Sequence, residues 1–250
     1  MRLSHHISQG RLLYFTHDQD AISVYQNEHF RWLTIGDVVQ SAMHRRLPHR
    51  LTLPHQWAMM LPLLYSTPRS IIEFGLGGGN HRRFIHALYP DIDYRVIEYN
   101  QSIINACAHY FELSKHVHEI SHNSVENWLS TTAKKVADWY IYDVYQPRRF
   151  GEDRFNASLQ QLIARLPQQS HLTINLPAPT HKEVDYWLGL IAQKTSHQHF
   201  TTAVPQYKNV VIHLIGRSTQ GAAEERGKPQ RRILQLRRYQ SLTKNLVYDV

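Results

Sequence analysis

The sequence predicts an α/β protein built on a Rossmann-like, mostly parallel seven-stranded sheet with an antiparallel last strand, preceded by a small N-terminal β-meander. Three observations carry this expectation. From Ser70 onward, short apolar runs alternate with amphipathic stretches, the texture of strand–helix–strand units with helices on both faces of a sheet. The first of these runs ends in Gly75-Leu76-Gly77-Gly78-Gly79, a turn that lets a ligand approach the backbone ahead of a helix N-terminus. Two late runs are joined only by Pro205-Gln206-Tyr207-Lys208, so they must pair antiparallel, because a parallel crossover needs about a dozen residues.

Taken in order, Arg11–Thr16, Ala21–Gln26 and His29–Ile35 are rich in β-formers and are separated by Asp18-Gln19-Asp20 and Asn27-Glu28, which read as turns. Residues 44–56 are basic and broken by Pro48 and Pro54, as suits a connector. A helix is expected over Gln56–Tyr65, stopping before Pro68. The core strands follow as Ser70–Phe74, Tyr94–Glu98, Val117–Ile120, Trp139–Tyr142 and His171–Leu176, then His199–Val204 and Asn209–Ile215. Helices fall between them, from the glycines to about Tyr89 and over Gln101–Phe111, Ser124–Ser130, Asp153–Leu166 and His181–Lys194. The organisation expected is a meander and connector over 1–55, a Rossmann-like nucleoside-binding catalytic domain over 56–216, and a basic tail over 217–250.

Composition narrows the classes. At 250 residues the chain supports one sizeable core, and no run of eighteen apolar residues offers a membrane span. The N-terminus lacks an apolar segment with a small-residue cleavage site, so neither a secretory signal nor a transit peptide is expected. The lone Cys107 makes no internal disulfide, which points to a reducing cytoplasm. Of the net charge of +8, residues 217–250 hold eight Lys/Arg against three Asp/Glu. No nucleic-acid motif stands beside that charge, so the tail reads as a solvated, partly helical extension outside the folded body, and it is the one place where nucleic acid would bind. His116, His118 and His122 could share a strand face, and Arg45, Arg46 and Arg50 line the connector. Neither cluster has the carboxylate or cysteine partners of a metal site, so no metal is expected.

Three features point to chemistry. The glycine cluster lacks the third glycine of a dinucleotide fingerprint, since Asn80 stands there. Glu98 closes the second core strand, 23 residues beyond Gly75, where a carboxylate accepts hydrogen bonds from both ribose hydroxyls of an adenosine-type ligand. Asp143 ends the fourth core strand, and strand C-terminal ends face the ligand crevice of an open parallel sheet. There it could stabilise charge or take a proton.

These stretches resemble the spermidine/spermine synthase family, with its methyltransferase-type Rossmann fold. Residues 70–79 with Arg83 are similar to its glycine motif, Arg95-Val96-Ile97-Glu98 to its ribose-binding strand, and Asp143-Val144-Tyr145-Gln146-Pro147 to its Asp-x-x-Asp-Pro catalytic segment. Leu33 to Gln40 resembles the family's strand ending in a substrate-lining glutamine, Pro54-His55-Gln56 lies near its His-Glu pair, and Ile174-Asn175-Leu176 is similar to its fifth strand. The resemblance implies aminopropyl transfer from decarboxylated S-adenosylmethionine to a small-molecule amine, without a metal or a membrane. It also implies a homo-oligomer, with a dimer expected. Asp143 would be catalytic; Gly75, Gly77, Gly78, Gly79, Glu98, Ser124 and Gln40 would hold the adenosyl ligand; Tyr145, Gln146 and His55 would meet the amine. Parts of the polyamine site are lost: Gly78 replaces the family's ammonium-holding Asp, Gln146 its second catalytic Asp, and Ser124 its adenine-contacting Asp. Each missing carboxylate forfeits a charge-assisted bond of about 1.5–3 kcal/mol. Two other readings stay open, a methyltransferase using S-adenosylmethionine itself and a non-catalytic member that binds a nucleoside or serves as a scaffold.

Overall fold

The computed structural model describes residues 8–18, 20–131, 136–144, 152–217 and 231–243. Two sheets organise the chain. The first is a meander of β1 (Arg11–His17), β2 (Ala21–Gln26), β3 (Phe30–Ile35) and β4 (Val38–His44), paired in sequence order. Here the structure corrects the single run from Leu33 to Gln40. Ile35 pairs with Val38 across a two-residue turn, and Gly36 takes φ +55°, a conformation a side chain disfavours but a tight hairpin needs. Gln40 therefore stands on a fourth strand.

The connector leads into α1 (Pro54–Met59), which starts two residues earlier than expected because proline is at home in a first helical turn. Gln56 Oε1 accepts the backbone N–H groups of Thr52 and Leu53, both at 3.1 Å. The expected continuation to Tyr65 breaks into a 3-10 turn over Leu61–Leu64, since Pro62 cannot supply the N–H that an α-helix requires.

The second sheet holds β5 (Ser70–Phe74), β6 (Asp93–Glu98), β7 (Ile120–His122), β8 (Trp139–Tyr142), β9 (His171–Leu176), β10 (Gln198–Ala203) and β11 (Val210–Ile215), in the order β10-β11-β9-β8-β5-β6-β7. β5 pairs parallel with both β6 and β8, whereas β11 runs antiparallel to β9 and β10. The connections are α2 (Asn80–His86), α3 (Gln101–Tyr110), α4 (Val125–Thr131), α5 (Glu152–Arg165) and α6 (His181–Lys194). The strand expected over Val117–Ile120 is instead a 3-10 turn over Ser114–Glu119. His116 is held there by Arg82 at 3.0 Å and Glu119 at 3.1 Å, so His116, His118 and His122 share no strand face.

Strand alternation divides the core between the two sheet faces. Ile71, Val96 and Ile141 pack on one face with Phe84, Ile104 and Cys107, and the meander's Ile22, Val24, Leu33 and Met43 join the same cluster. Ile72, Ile97 and Tyr142 pack on the other face with Leu129, Leu162 and Trp187. His213 on β11 is fully buried, stacked on Phe200, and bonded through Nδ1 to Thr173 at 3.1 Å. The segment read as a tail contains α7 (Arg231–Thr243), whose Ile233 and Leu236 belong to the first core. That stretch is packed rather than wholly solvated, because two apolar side chains one turn apart meet the α1 region. No helix among the described residues is long and apolar enough to cross a membrane.

Candidate functional site

Strand order reverses at β5, so the crevice for a ligand opens beyond the carboxyl ends of β5, β6 and β8. A cavity of about 1150 Å3 lies there. Gly75 and Gly77 from the loop after β5, Glu98 from β6, Ser124 before α4, Asp143 after β8, Gln40 from β4 and His55 from α1 all line it. The structure thus brings seven of the sequence-predicted residues to one place. Gly78 and Gly79 stand behind the lining. Tyr145 and Gln146 lie outside the described residues.

Gly75 has φ +92°, and a Cβ there would sit 2.2 Å from the Asp143 carbonyl oxygen. Any side chain would push the loop off β8, so the absence of one lets the loop and Asp143 share the rim. Gly78 answers a different need. A Cβ at this position would lie 2.4 Å from Ser41 Oγ and 3.3 Å from the Phe111 ring. The space a side chain at position 78 would need is filled by Ser41 of β4. Ser41 in turn bonds Asn80 Oδ1 at 2.6 Å, and Asn80 Nδ2 donates to the Ala42 carbonyl at 2.7 Å. Arg83 closes this network, donating to the carbonyls of Pro48 and Phe111 and to Asn80 Oδ1, each at 2.9 Å. Burial pulls the Arg83 pKa down to about 10, which leaves the guanidinium charged at neutral pH.

Glu98 is buried, and its carboxylate accepts Leu76 N–H at 2.9 Å and Asn100 N–H at 2.8 Å. Burial pushes its pKa up while these backbone donors pull it back. The bonds fix the carboxylate at the strand end, and each oxygen keeps a second lone pair for a ribose hydroxyl. Asn100 caps α3 through its side chain, so the acid and the helix behind it are positioned by one short turn. Ser124 Oγ accepts Asn127 N–H at 3.2 Å, a cap that starts α4 at the cavity wall. Gln40 Nε2 and His55 Nδ1 are buried without a hydrogen-bond partner among the described residues. Burial draws the His55 pKa below its ordinary value, and Asp143 only partly offsets this. Its imidazole is therefore neutral at pH 7.

Two site residues escaped the sequence reading of chemistry. Asn175 Nδ2 donates to Asp143 Oδ1 at 2.8 Å, and Asn209 Nδ2 donates to Asn175 Oδ1 at 3.0 Å. A signal existed for Asn175: asparagine is disfavoured inside a strand, yet it stands between Ile174 and Leu176 near the carboxyl end of one. Asn209 and Ser41 carry none, because only the fold brings them to the site. Among the described residues, no group of three or more His, Cys, Asp or Glu side chains is placed to hold a metal ion.

No family model matches the chain. A stretch of 95 residues is 34% identical to a polyamine aminopropyltransferase of Neisseria meningitidis serogroup A, covering 37% of this chain and 36% of that protein. The chain thus matches about a third of the length of the curated relatives it resembles. Among solved structures, a probable spermidine synthase from Corynebacterium glutamicum superposes with a TM-score of 0.66 at 13% identity, over 92% of this chain and 86% of the other. Human methyltransferase-like protein 13 in complex with SAH superposes with a TM-score of 0.54 at 16% identity, over 76% of this chain and 91% of the other. The chain has the fold these proteins share.

Proposed function

We propose that this chain is a spermidine-synthase-like transferase that binds an adenosyl-sulfonium ligand and transfers its aminopropyl group to an amine. One observation carries the reading. The glycine loop, the Glu98 carboxylate and Asp143 converge on a single cavity, with the loop and Asp143 in such close approach that Gly75 admits no side chain. The donor set suits an adenosyl group: Glu98 for the ribose hydroxyls, Gly75 and Gly77 for close backbone approach, and the buried Gln40 amide, whose Nε2 lacks a partner among the described residues, for a polar ligand atom. When bound, the sulfonium supplies an electrophilic carbon. The protein supplies position and proton management. Asp143, oriented by Asn175, takes a proton from the acceptor nitrogen, and Glu98 holds the nucleoside so that nitrogen and carbon meet in line. The neutral His55 adds no positive charge beside an incoming cation.

A second reading, methyl transfer from intact S-adenosylmethionine, is favoured by the Ser41 side chain packed against Gly78. An acid at position 78 would repel the ligand's carboxylate, and none is present. In either reading the small-molecule partner is an acceptor of the transferred group, and the dimer remains a proposal for light scattering to test. The deciding experiment incubates the protein with decarboxylated S-adenosylmethionine or S-adenosylmethionine and an amine panel, and follows the nucleoside product. Methylthioadenosine supports aminopropyl transfer, and S-adenosylhomocysteine supports methyl transfer. Thermal shift with methylthioadenosine tests the nucleoside site alone: a ligand at a hundred times its Kd stabilises by about 2.7 kcal/mol. No shift with any adenosyl compound would favour the scaffold.

A further inference from the structure

Asp143 offers an acceptor less than its position suggests. A carboxylate only accepts hydrogen bonds, so Asn175 must present its NH2 to Oδ1, and the Asn175 carbonyl then takes the Asn209 amide. One carboxylate oxygen takes part in this chain of amides, and the other, without a hydrogen-bond partner among the described residues, is the freer of the two for a substrate nitrogen. The same cavity is lined by the apolar Leu53, Val144 and Pro177 and by Tyr207, with the neutral His55. Among the described residues, the two other acids lining the cavity stand with the residues proposed to hold the nucleoside. Glu98 is tied to the Leu76 and Asn100 amides, and Glu126 stands in the first turn of α4 beside Ser124. In the sequence no acid follows Asp143 before Glu152, and Arg148 and Arg149 fall between.

A diamine or polyamine carries a second ammonium, and taking it out of water without a counter-charge is strongly unfavourable. An apolar tail gains on the same wall. Resting on the transferase reading above, we propose that the acceptor is a primary monoamine with an apolar or aromatic tail, and that di- and polyamines are poor substrates. The acceptor ammonium passes one proton to the freer Asp143 oxygen. The freed nitrogen lone pair then forms the N–C bond while the C–S bond breaks. The electron pair of that bond returns to sulfur, the sulfonium leaves as the neutral thioether methylthioadenosine, and Asp143 releases its proton to solvent.

The full-length protein is assayed with decarboxylated S-adenosylmethionine and hexylamine, phenethylamine, putrescine or cadaverine, reading methylthioadenosine release. A kcat/KM at least tenfold higher for a monoamine than for either diamine is expected, and a smaller ratio or a diamine preference overturns the proposal while sparing the transferase reading. Tyr207 is 46% exposed, so Tyr207→Asp tolerates a new carboxylate on the wall. It is expected to raise putrescine use relative to hexylamine about tenfold, and the neutral Tyr207→Asn is not. If no amine is turned over, calorimetric titration of each amine into protein saturated with methylthioadenosine decides. Tighter binding of the monoamines supports the proposal, whereas tighter diamine binding, or binding of neither class, overturns it. Failure of methylthioadenosine itself to bind refutes the transferase reading, and this proposal with it.

Discussion

Replacing Gly78 by aspartate restores the acid of the resembled family, yet it is expected to damage this protein. Gly78 does not carry a positive φ, so the backbone accepts a side chain and the effect is one of space. The added Cβ would lie 2.4 Å from Ser41 Oγ and 2.8 Å from Ser41 Cβ, and β4 would have to move. Overpacking of this kind costs about 1–3 kcal/mol, and displacing the Ser41–Asn80 hydrogen bond adds about 0.5–1.5 kcal/mol. The sum is about 1.5–4.5 kcal/mol. At roughly 2–4 °C per kcal/mol for a chain of this size, Tm should fall by about 3–18 °C in differential scanning fluorimetry. Adding Ser41→Gly makes room, so the double variant should recover at least half of the loss. It should also bind decarboxylated S-adenosylmethionine more tightly than the unmodified protein does. A single variant within about 1 °C of the parent would refute the steric argument, and a double variant no more stable than the single would place the damage elsewhere than at Ser41.

Asp143→Asn should lower kcat for amine transfer by ~10²–10⁴ with nearly unchanged nucleoside affinity, whereas Glu98→Ala should weaken methylthioadenosine by about 1.5–3 kcal/mol; calorimetry and turnover together separate the two roles. His213 makes stability depend on pH. Burial lowers its folded pKa to about 3, against about 6.5 in the unfolded chain, so between these values only the unfolded chain takes up the proton. Stability from urea unfolding should be flat above about pH 7 and fall with acidification, and His213→Gln should reduce that slope by about 1.4 kcal/mol per pH unit; an unchanged slope counts against this assignment. Leu236→Ala should cost about 2–5 kcal/mol, and truncation after Arg217 should destabilise the body at least as much, because both remove α7 packing from the first core. A truncated protein with an unshifted Tm would show that α7 contributes nothing to the body.

Much of the catalytic side was legible because it depends on local rules. A strand ending in glycines, an acid closing the next strand and an acid closing the fourth are one-dimensional signals of strand C-terminal ends, and Gly75, Glu98 and Asp143 do line one cavity. The misread elements had weaker grammar. The Gly36-Asp37 hairpin was hidden because apolar residues flank it on both sides and the glycine alone marks the reversal. The histidines at 116 and 118 were given a strand, but without alternating apolar neighbours the chain coils instead around the Arg82–Glu119 pair. The packing of α7 could not be read either: Ile233 and Leu236 are two apolar positions in a basic segment, and only the surface left by α1 and its 3-10 extension gives them a place to go. Ser41 and Asn209 lie 37 and 34 residues from the nearest site partner they serve, beyond any motif.

The Ser41 hydroxyl and the Asn80 amide that join β4 to the segment after the glycine loop have a mechanical consequence. Ser41, Gln56, Asn80 and Arg83 are all buried, and sliding the meander away from the loop would break both bonds that tie Asn80 to β4, from the Ser41 hydroxyl and to the Ala42 carbonyl. The wall proposed to receive the nucleoside is in this sense cast before any ligand arrives. Little of the affinity for the adenosyl half is then diverted into ordering the protein. Amide exchange on either side of this seam should report a single opening unit, because neither piece can loosen alone without leaving the buried Asn80 amide short of its β4 partners. Variation in specificity is correspondingly easier on the far side of the cavity, where Pro177, Tyr207 and Asn209 come from short connections and no buried ion has to be rehoused.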